Sequence, residues 1–323
     1  MKKKSLIIFL EISLFVIIGL GLAVYFNHVF IYDFYRGKTY QPSSEMVAIR
    51  DSLNLTERGR FLFDASQPTL NNEEDFNYNC QSDDEESAIL GCYTEKNIYV
   101  YNITEERLKG IRELTTAHEL LHAVYERMSV GERDAIRADL EKIYLNNLEA
   151  LKEEIDVYDS EEQLEEIYVR VGTEIKDLTA DLEEHFGTIF QDQDAIVDFY
   201  NSYIGVFKQL DNELDRLQAE MEDLNTKIDE GTDEYQRRAG QLDADIISFN
   251  SCAEVAGCFE TEEKFRARRN QLVAEQNALN ALYDEIDGMI NRYNELVEQY
   301  NNNAIESNNL QNIINSHVRV EGI

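Results

Sequence analysis

The sequence predicts a mainly α protein with a minimal β element, and three observations carry that reading. Only two prolines, Pro42 and Pro68, occur in 323 residues, and both fall early, so the rest of the chain is free to form long helices. Two series of apolar residues recur every seven positions through the last third. Against these stands one stretch of convincing strand composition, NIYVYNIT from Asn97 to Thr104.

Composition sets limits on partners. The hydrophobic content of 43% is enough for at least one packed core, and 64 acidic against 30 basic side chains give a formal charge of −34. Such a chain repels nucleic acid and anionic head groups, so nucleic-acid binding is set aside.

The elements follow in order. Three lysines and a mostly apolar run from Ser5 to Phe26 predict a cytoplasmic tail at 1–4 and a transmembrane signal anchor at 5–26, with Glu11 as its one charge. The run lacks the small-residue end of a cleaved signal, and the lysines orient the N-terminus to the cytoplasm. The expected location is therefore the cell membrane, single-pass, with everything beyond the anchor extracytoplasmic.

Two short helices come next, one capped by Ser43 or Ser44 and one starting at Thr56, ending at a turn around Pro68. Asn71 to Glu86 reads as a loop, followed by the strand. Helical patterning then runs from Thr104 to Asn147 with an interruption near Gly131, and further helices are expected around 160–171 and 180–186.

In the last third Phe207, Leu214, Met221, Ile228, Tyr235, Leu242 and Phe249 form one heptad row, and Phe265, Leu272, Leu279, Ile286, Tyr293 and Tyr300 form another. The segment between them, with Cys252, Gly257 and Cys258, breaks the repeat, which predicts an antiparallel coiled-coil hairpin over 206–312 and a C-terminal tail at 313–323. Leu210, Leu217 and Leu224 fill a companion row in the first arm and Leu282, Met289 and Leu296 one in the second; Gly231, Arg238 and Asp245, at companion positions further along the first arm, predict a strained or frayed stretch there. The four cysteines, Cys80, Cys92, Cys252 and Cys258, read as disulfides in an oxidising compartment. Three connectivities are open; closure within each local pair makes the fewest demands on the fold.

Chemistry concentrates in TTAHELLHAVYERM, Thr115 to Met128, which holds two of the five histidines. Residues four apart share a helix face, so His118 and His122 can aim at one Zn2+, with Glu119 beside them to work on a metal-bound water. Leu120, Leu121, Ala123 and Val124 predict a buried helix around the motif, against the bland alternative of two surface histidines on an acidic helix. A catalytic zinc needs a third protein ligand. The chain lacks the extension that would supply a third histidine, so a later carboxylate is expected. Glu174 is selected because Gly172 and Thr173 permit close helix approach and Ile167, Val169 and Val171 suggest burial; His185 is a weaker candidate, as a ligand or a hydrogen-bond donor.

A strand followed closely by an H-E-x-x-H helix and a later glutamate resembles the gluzincin class of zinc metallopeptidases. The segments FLFDASQP, FNYNC, GCYTEKNIYVYNIT, AHELLH and VGTE behind one anchor are also similar to a group of bacterial single-pass membrane proteins, over most of the chain. These resemblances imply a zincin-like domain at 27–205, one catalytic Zn2+ on His118, His122 and Glu174, Glu119 as general base, and a protein or peptide substrate. They also imply that NIYVYNIT acts as an edge strand, binding extended peptide by β-augmentation. The class's oxyanion-stabilising His or Tyr has no counterpart here. Two functions are expected from these features: a membrane-anchored zinc endopeptidase, or a non-catalytic cell-surface scaffold whose hairpin binds a protein partner.

Overall fold

The computed structural model describes residues 24–80, 90–147 and 160–315, with the isolated positions 19, 21, 22 and 155. The expected cytoplasmic tail, most of the expected anchor, part of the 71–86 loop and the chain beyond 315 lie outside the described residues. Among the described residues, no helix is long and apolar enough to cross a membrane. That finding corrects the transmembrane anchor and the single-pass location drawn from it. The first bounded helix, α1 (His28–Thr39), carries Asp33, Arg36 and Lys38 and buries Asp33 against protein.

The chain divides into two compact units, Met1–Val206 with Leu310–Ile323, and Phe207–Asn309. In the first unit, α2 (Ser44–Ser52) starts where the Ser43 side chain accepts from the Met46 backbone N–H, and α3 (Glu57–Ser66) where Thr56 accepts from Gly59. These caps satisfy donors that the first helical turn leaves unpaired. Gln67 then turns the chain in a left-handed conformation ahead of Pro68.

A three-stranded sheet follows: β1 (Thr69–Asn71), β2 (Gly91–Thr94) and β3 (Asn97–Tyr101), in the order β1-β3-β2. β3 is parallel to β1 and antiparallel to β2, with Thr69 opposite Tyr99 and Cys92 also opposite Tyr99. The expected strand is therefore the middle one, not an edge. The expected loop from Asn71 is largely helix, α4 (Glu73–Asn79), because the Asn72 side chain caps it at Asp75 and three acidic residues favour its N-terminal turn. Cys80 at the end of α4 is bonded to Cys92 in β2, and Cys252 to Cys258.

Beyond a short 3-10 turn at Glu106–Leu108, Gly110 at φ +95° opens α5 (Ile111–Arg127), the H-E-x-x-H helix. α6 (Val130–Asn146) begins at a capping box between Ser129 and Glu132, so the expected interruption falls at Met128 and Ser129. α7 (Ser160–Glu174) and α8 (Ala180–Phe186) complete the layer over α5. Leu120, Leu121, Ala123 and Val124 of α5 are buried with Ile167, Tyr168, Val169 and Val171 of α7, Phe63 of α3, and Ile98 and Val100 of β3. A β-carbon on Gly172 would fall 2.5 Å from Leu121 Cδ1, so the glycine does permit close approach of α7 to α5.

The helix α9 (Gln193–Ala253) runs into the second unit, where α10 (Glu262–Ile314) supplies its partner. Both heptad rows are buried or half-buried, with Leu242, Leu272, Leu279 and Ile286 the most enclosed, and Leu217 and Leu296, three residues after Leu214 and Tyr293, are buried beside them. The stretch around Arg238 is continuous helix and not frayed: Arg238 Nε donates to Glu275 at 2.9 Å, and Arg268 pairs with Asp245 at 3.0 Å. Ion pairs across the arms replace the apolar contacts missing from those positions.

Candidate metal centre

The motif residues stand on α5 as helical spacing requires. The His118 and His122 rings meet edge to face with centroids 5.1 Å apart. Opposite them α7 places Glu166, whose Oε1 lies 3.8 Å from His118 Nε2 and whose Oε2 lies 3.6 Å from His122 Nε2. One ligand atom from each of the three residues falls within 4.8 Å of the others. Two imidazole nitrogens and a carboxylate oxygen are the donor set of a zinc site with one position left open, so these residues fit the ion.

Glu166, and not Glu174, joins the histidines. Glu174 lies eight residues further along α7, about 12 Å at the helical rise, and accepts from Arg170 Nη1 at 3.1 Å. His185 also stands apart from the cluster: its Nε2 is 3.0 Å from the hydroxyl of buried Tyr168, and its ring packs on Tyr168 and Phe186.

Charge prepares the imidazoles differently. Burial, His122 and Arg170 together hold the His118 pKa well below its ordinary value, which leaves a neutral ring with a lone pair for a cation. Burial also works against protonation of His122, but the hydrogen bond with Glu165 and the charges of Glu119 and Glu166 outweigh it, so its pKa is raised. His122 Nδ1 lies 2.8 Å from Glu165 Oε1. A carboxylate on the far nitrogen fixes ring orientation and directs Nε2 toward the cluster.

Glu119 is 6% exposed and sits where α5 meets β2. Burial pushes its carboxyl up to about 7, with Glu166 adding to the rise and His122 and the Tyr93 backbone N–H opposing it. A β-carbon on Gly91 would fall 2.8 Å from both Cγ and Oε1 of Glu119, so only glycine lets the strand lie this close to the carboxylate. The register explains the Tyr93 contact. Cys92 and Thr94 are the residues of β2 that exchange hydrogen bonds with β3, so the backbone groups of Gly91 and Tyr93 point to the other edge. Among the described residues, no strand pairs with that edge. The edge strand on this side of the sheet is therefore β2, and β3 is interior.

Several supports were absent from the sequence reading. Arg127, at the end of α5, donates from Nε and Nη2 to Asp33 of α1 at 2.8 and 2.9 Å, and from Nη1 to the Tyr93 hydroxyl at 2.8 Å. The Tyr93 hydroxyl in turn donates to Glu126. Glu166 was legible only in part: Arg170 within the apolar run from Ile167 to Val171 signals a charge that needs a carboxylate four residues away, and Glu166 and Glu174 satisfy that spacing equally.

Comparisons with known protein families, with curated proteins and with solved structures find no match.

Proposed function

We propose that this chain is a zinc-dependent peptidase that hydrolyses a peptide bond in an extended protein or peptide substrate. The observation that carries the reading is the convergence of His118, His122 and Glu166 beside a buried Glu119. A zinc ion held by the three residues would supply a Lewis acid for the scissile carbonyl and a water acidified toward neutrality.

The chain's own residues then divide the work. Glu119 takes the proton of the attacking water and passes it to the leaving amine; its burial, which raises the carboxyl in the metal-free chain, favours the acceptance of that proton. β2 is the edge strand beside Glu119, and the backbone groups of its outer side that Glu119 does not take are suited to an extended peptide. Glu165 keeps His122 turned toward the cluster. The test is a Glu119→Gln variant, which keeps bound zinc and loses peptide hydrolysis. Hydrolysis at the wild-type rate in that variant overturns the assignment.

The hairpin supports a second reading, in which its surface binds a protein partner and the first unit is a scaffold. Helices of 61 and 53 residues extend far beyond what a core of this size requires. Deleting 207–309 separates the readings: retained hydrolysis rules out the scaffold alone, and full biological activity from the Glu119→Gln protein rules out the peptidase.

A further inference from the structure

We propose that Arg170 is a positioning residue that restricts Glu166 to single-oxygen ligation, with Glu174 holding Arg170 in place; the inference rests on the zinc reading above. Glu166, Arg170 and Glu174 follow one another at intervals of four and share one face of α7. Arg170 Nε donates to Glu166 Oε1 at 2.7 Å, and its Nη1 donates to Glu174 Oε1 at 3.1 Å. The three side chains are 5%, 17% and 9% exposed, so these charge-assisted bonds are shielded from water.

The consequence lies in what is left of Glu166. A carboxylate with both oxygens available can grip a cation bidentately, which raises the coordination number and takes the position that a catalytic zinc keeps for water. Both oxygens lie near the imidazoles, Oε1 3.8 Å from His118 Nε2 and Oε2 3.6 Å from His122 Nε2, but only Oε1 is engaged by the guanidinium. Oε1 has committed a lone pair and part of its charge to that charge-assisted bond, which leaves Oε2 as the stronger donor to a cation. A guanidinium suits this task because its planar fork reaches two carboxylates at once and does not lose its charge. The half-buried Glu174 thereby acquires a role without touching the metal.

The test uses the full chain loaded with cobalt(II) in place of zinc, read by visible absorption, with Arg170→Gln and Glu174→Gln as variants. Wild-type protein should show the intense absorption of four-coordinate cobalt. Arg170→Gln should show the weaker bands of a higher coordination number, with kcat reduced and KM little changed, and Glu174→Gln should shift the same way by less. A wild-type spectrum in Arg170→Gln overturns the inference while leaving the zinc reading intact. Should Arg170→Gln fail to fold, a wild-type spectrum in Glu174→Gln overturns it instead. Wild-type protein that binds neither cobalt nor zinc overturns the zinc reading, and this inference with it.

Discussion

Gly91 lies against Glu119 so closely that a β-carbon on the glycine would stand 2.8 Å from the carboxylate oxygen and 2.6 Å from Thr115 Cγ2. Substituting Gly91→Ala must therefore push β2 off α5 or swing Glu119 away from its place. The expected loss is about 1–3 kcal/mol of stability, as for other overpacked sites. Peptide hydrolysis should fall much further than zinc content, since the metal ligands sit on α5 and α7. Unfolding in denaturant, metal analysis and a peptidase assay on one preparation check all three.

The raised pKa of Glu119 makes the metal-free protein sensitive to pH in a defined direction. Below about pH 4.5, the ordinary value, both folded and unfolded chains hold this proton. From there to about pH 7 the unfolded chain ionises while the folded one stays protonated, so stability falls as pH rises. Above that window the cost is constant, on the order of 3 kcal/mol. Glu119→Gln removes the charge, so with chelator present it should be more stable than wild type above pH 7, with the gap closing toward pH 4.5. Denaturant midpoints of both proteins across that range measure the gap, and a gap independent of pH would count against the assignment.

His122 and Glu165, 2.8 Å apart, predict a loss in metal affinity that does not depend on catalysis. Glu165→Gln keeps the shape and removes the charge that orients the ring. Losses of outer-shell partners typically weaken metal binding 10–100-fold, and zinc affinity by competition with a chromophoric chelator should fall within that range. Unchanged affinity would mean that another group sets the His122 orientation.

The Asp33–Arg127 pair joins α1 to the end of the H-E-x-x-H helix, and both side chains are under 10% exposed. Asp33→Ala removes the bidentate partner and leaves Arg127 with the Tyr93 hydroxyl, the Ala123 carbonyl and Glu126 at 3.7 Å, so the change should cost about 3 kcal/mol, the low end for a broken buried pair. Replacing the pair together, as Asp33→Leu with Arg127→Met, should cost much less than the two single changes summed. Equilibrium unfolding of the two singles and the double tests the coupling.

What the sequence made legible follows from which signals are local. Helical spacing alone put His118, Glu119 and His122 together, and the heptad rows located the seam of α9 and α10 from Phe207 onward. The hairpin joining β2 to β3 was missed because its turn residues, Glu95 and Lys96, both hold positive φ without the Asn-Gly chemistry that marks such turns. Arg36 holds that turn by donating to the Lys96 carbonyl at 3.0 Å and to Asn97 Oδ1 at 2.7 Å, a support from distant sequence. The third ligand was missed for a related reason. Glu166 and Glu174 flank Arg170 symmetrically in sequence, and only the packing of α7 across α5 distinguishes them.

The membrane span was an inference from hydropathy at residues 5–26, and no described helix is long and apolar enough to cross a membrane. The described continuation, α1, carries Asp33, Arg36 and Lys38, and Arg36 reaches back to the Ala65 carbonyl at 2.7 Å. Those contacts belong to a helix packed on protein.

The most direct test of the account is the metal content of purified chain after exposure to excess zinc and removal of unbound ion. The account predicts about one zinc per chain in wild type and in Glu174→Gln, and little or none in Glu166→Gln or in His118→Ala. Wild-type protein without stoichiometric zinc, or zinc kept by Glu166→Gln and lost by Glu174→Gln, would contradict it.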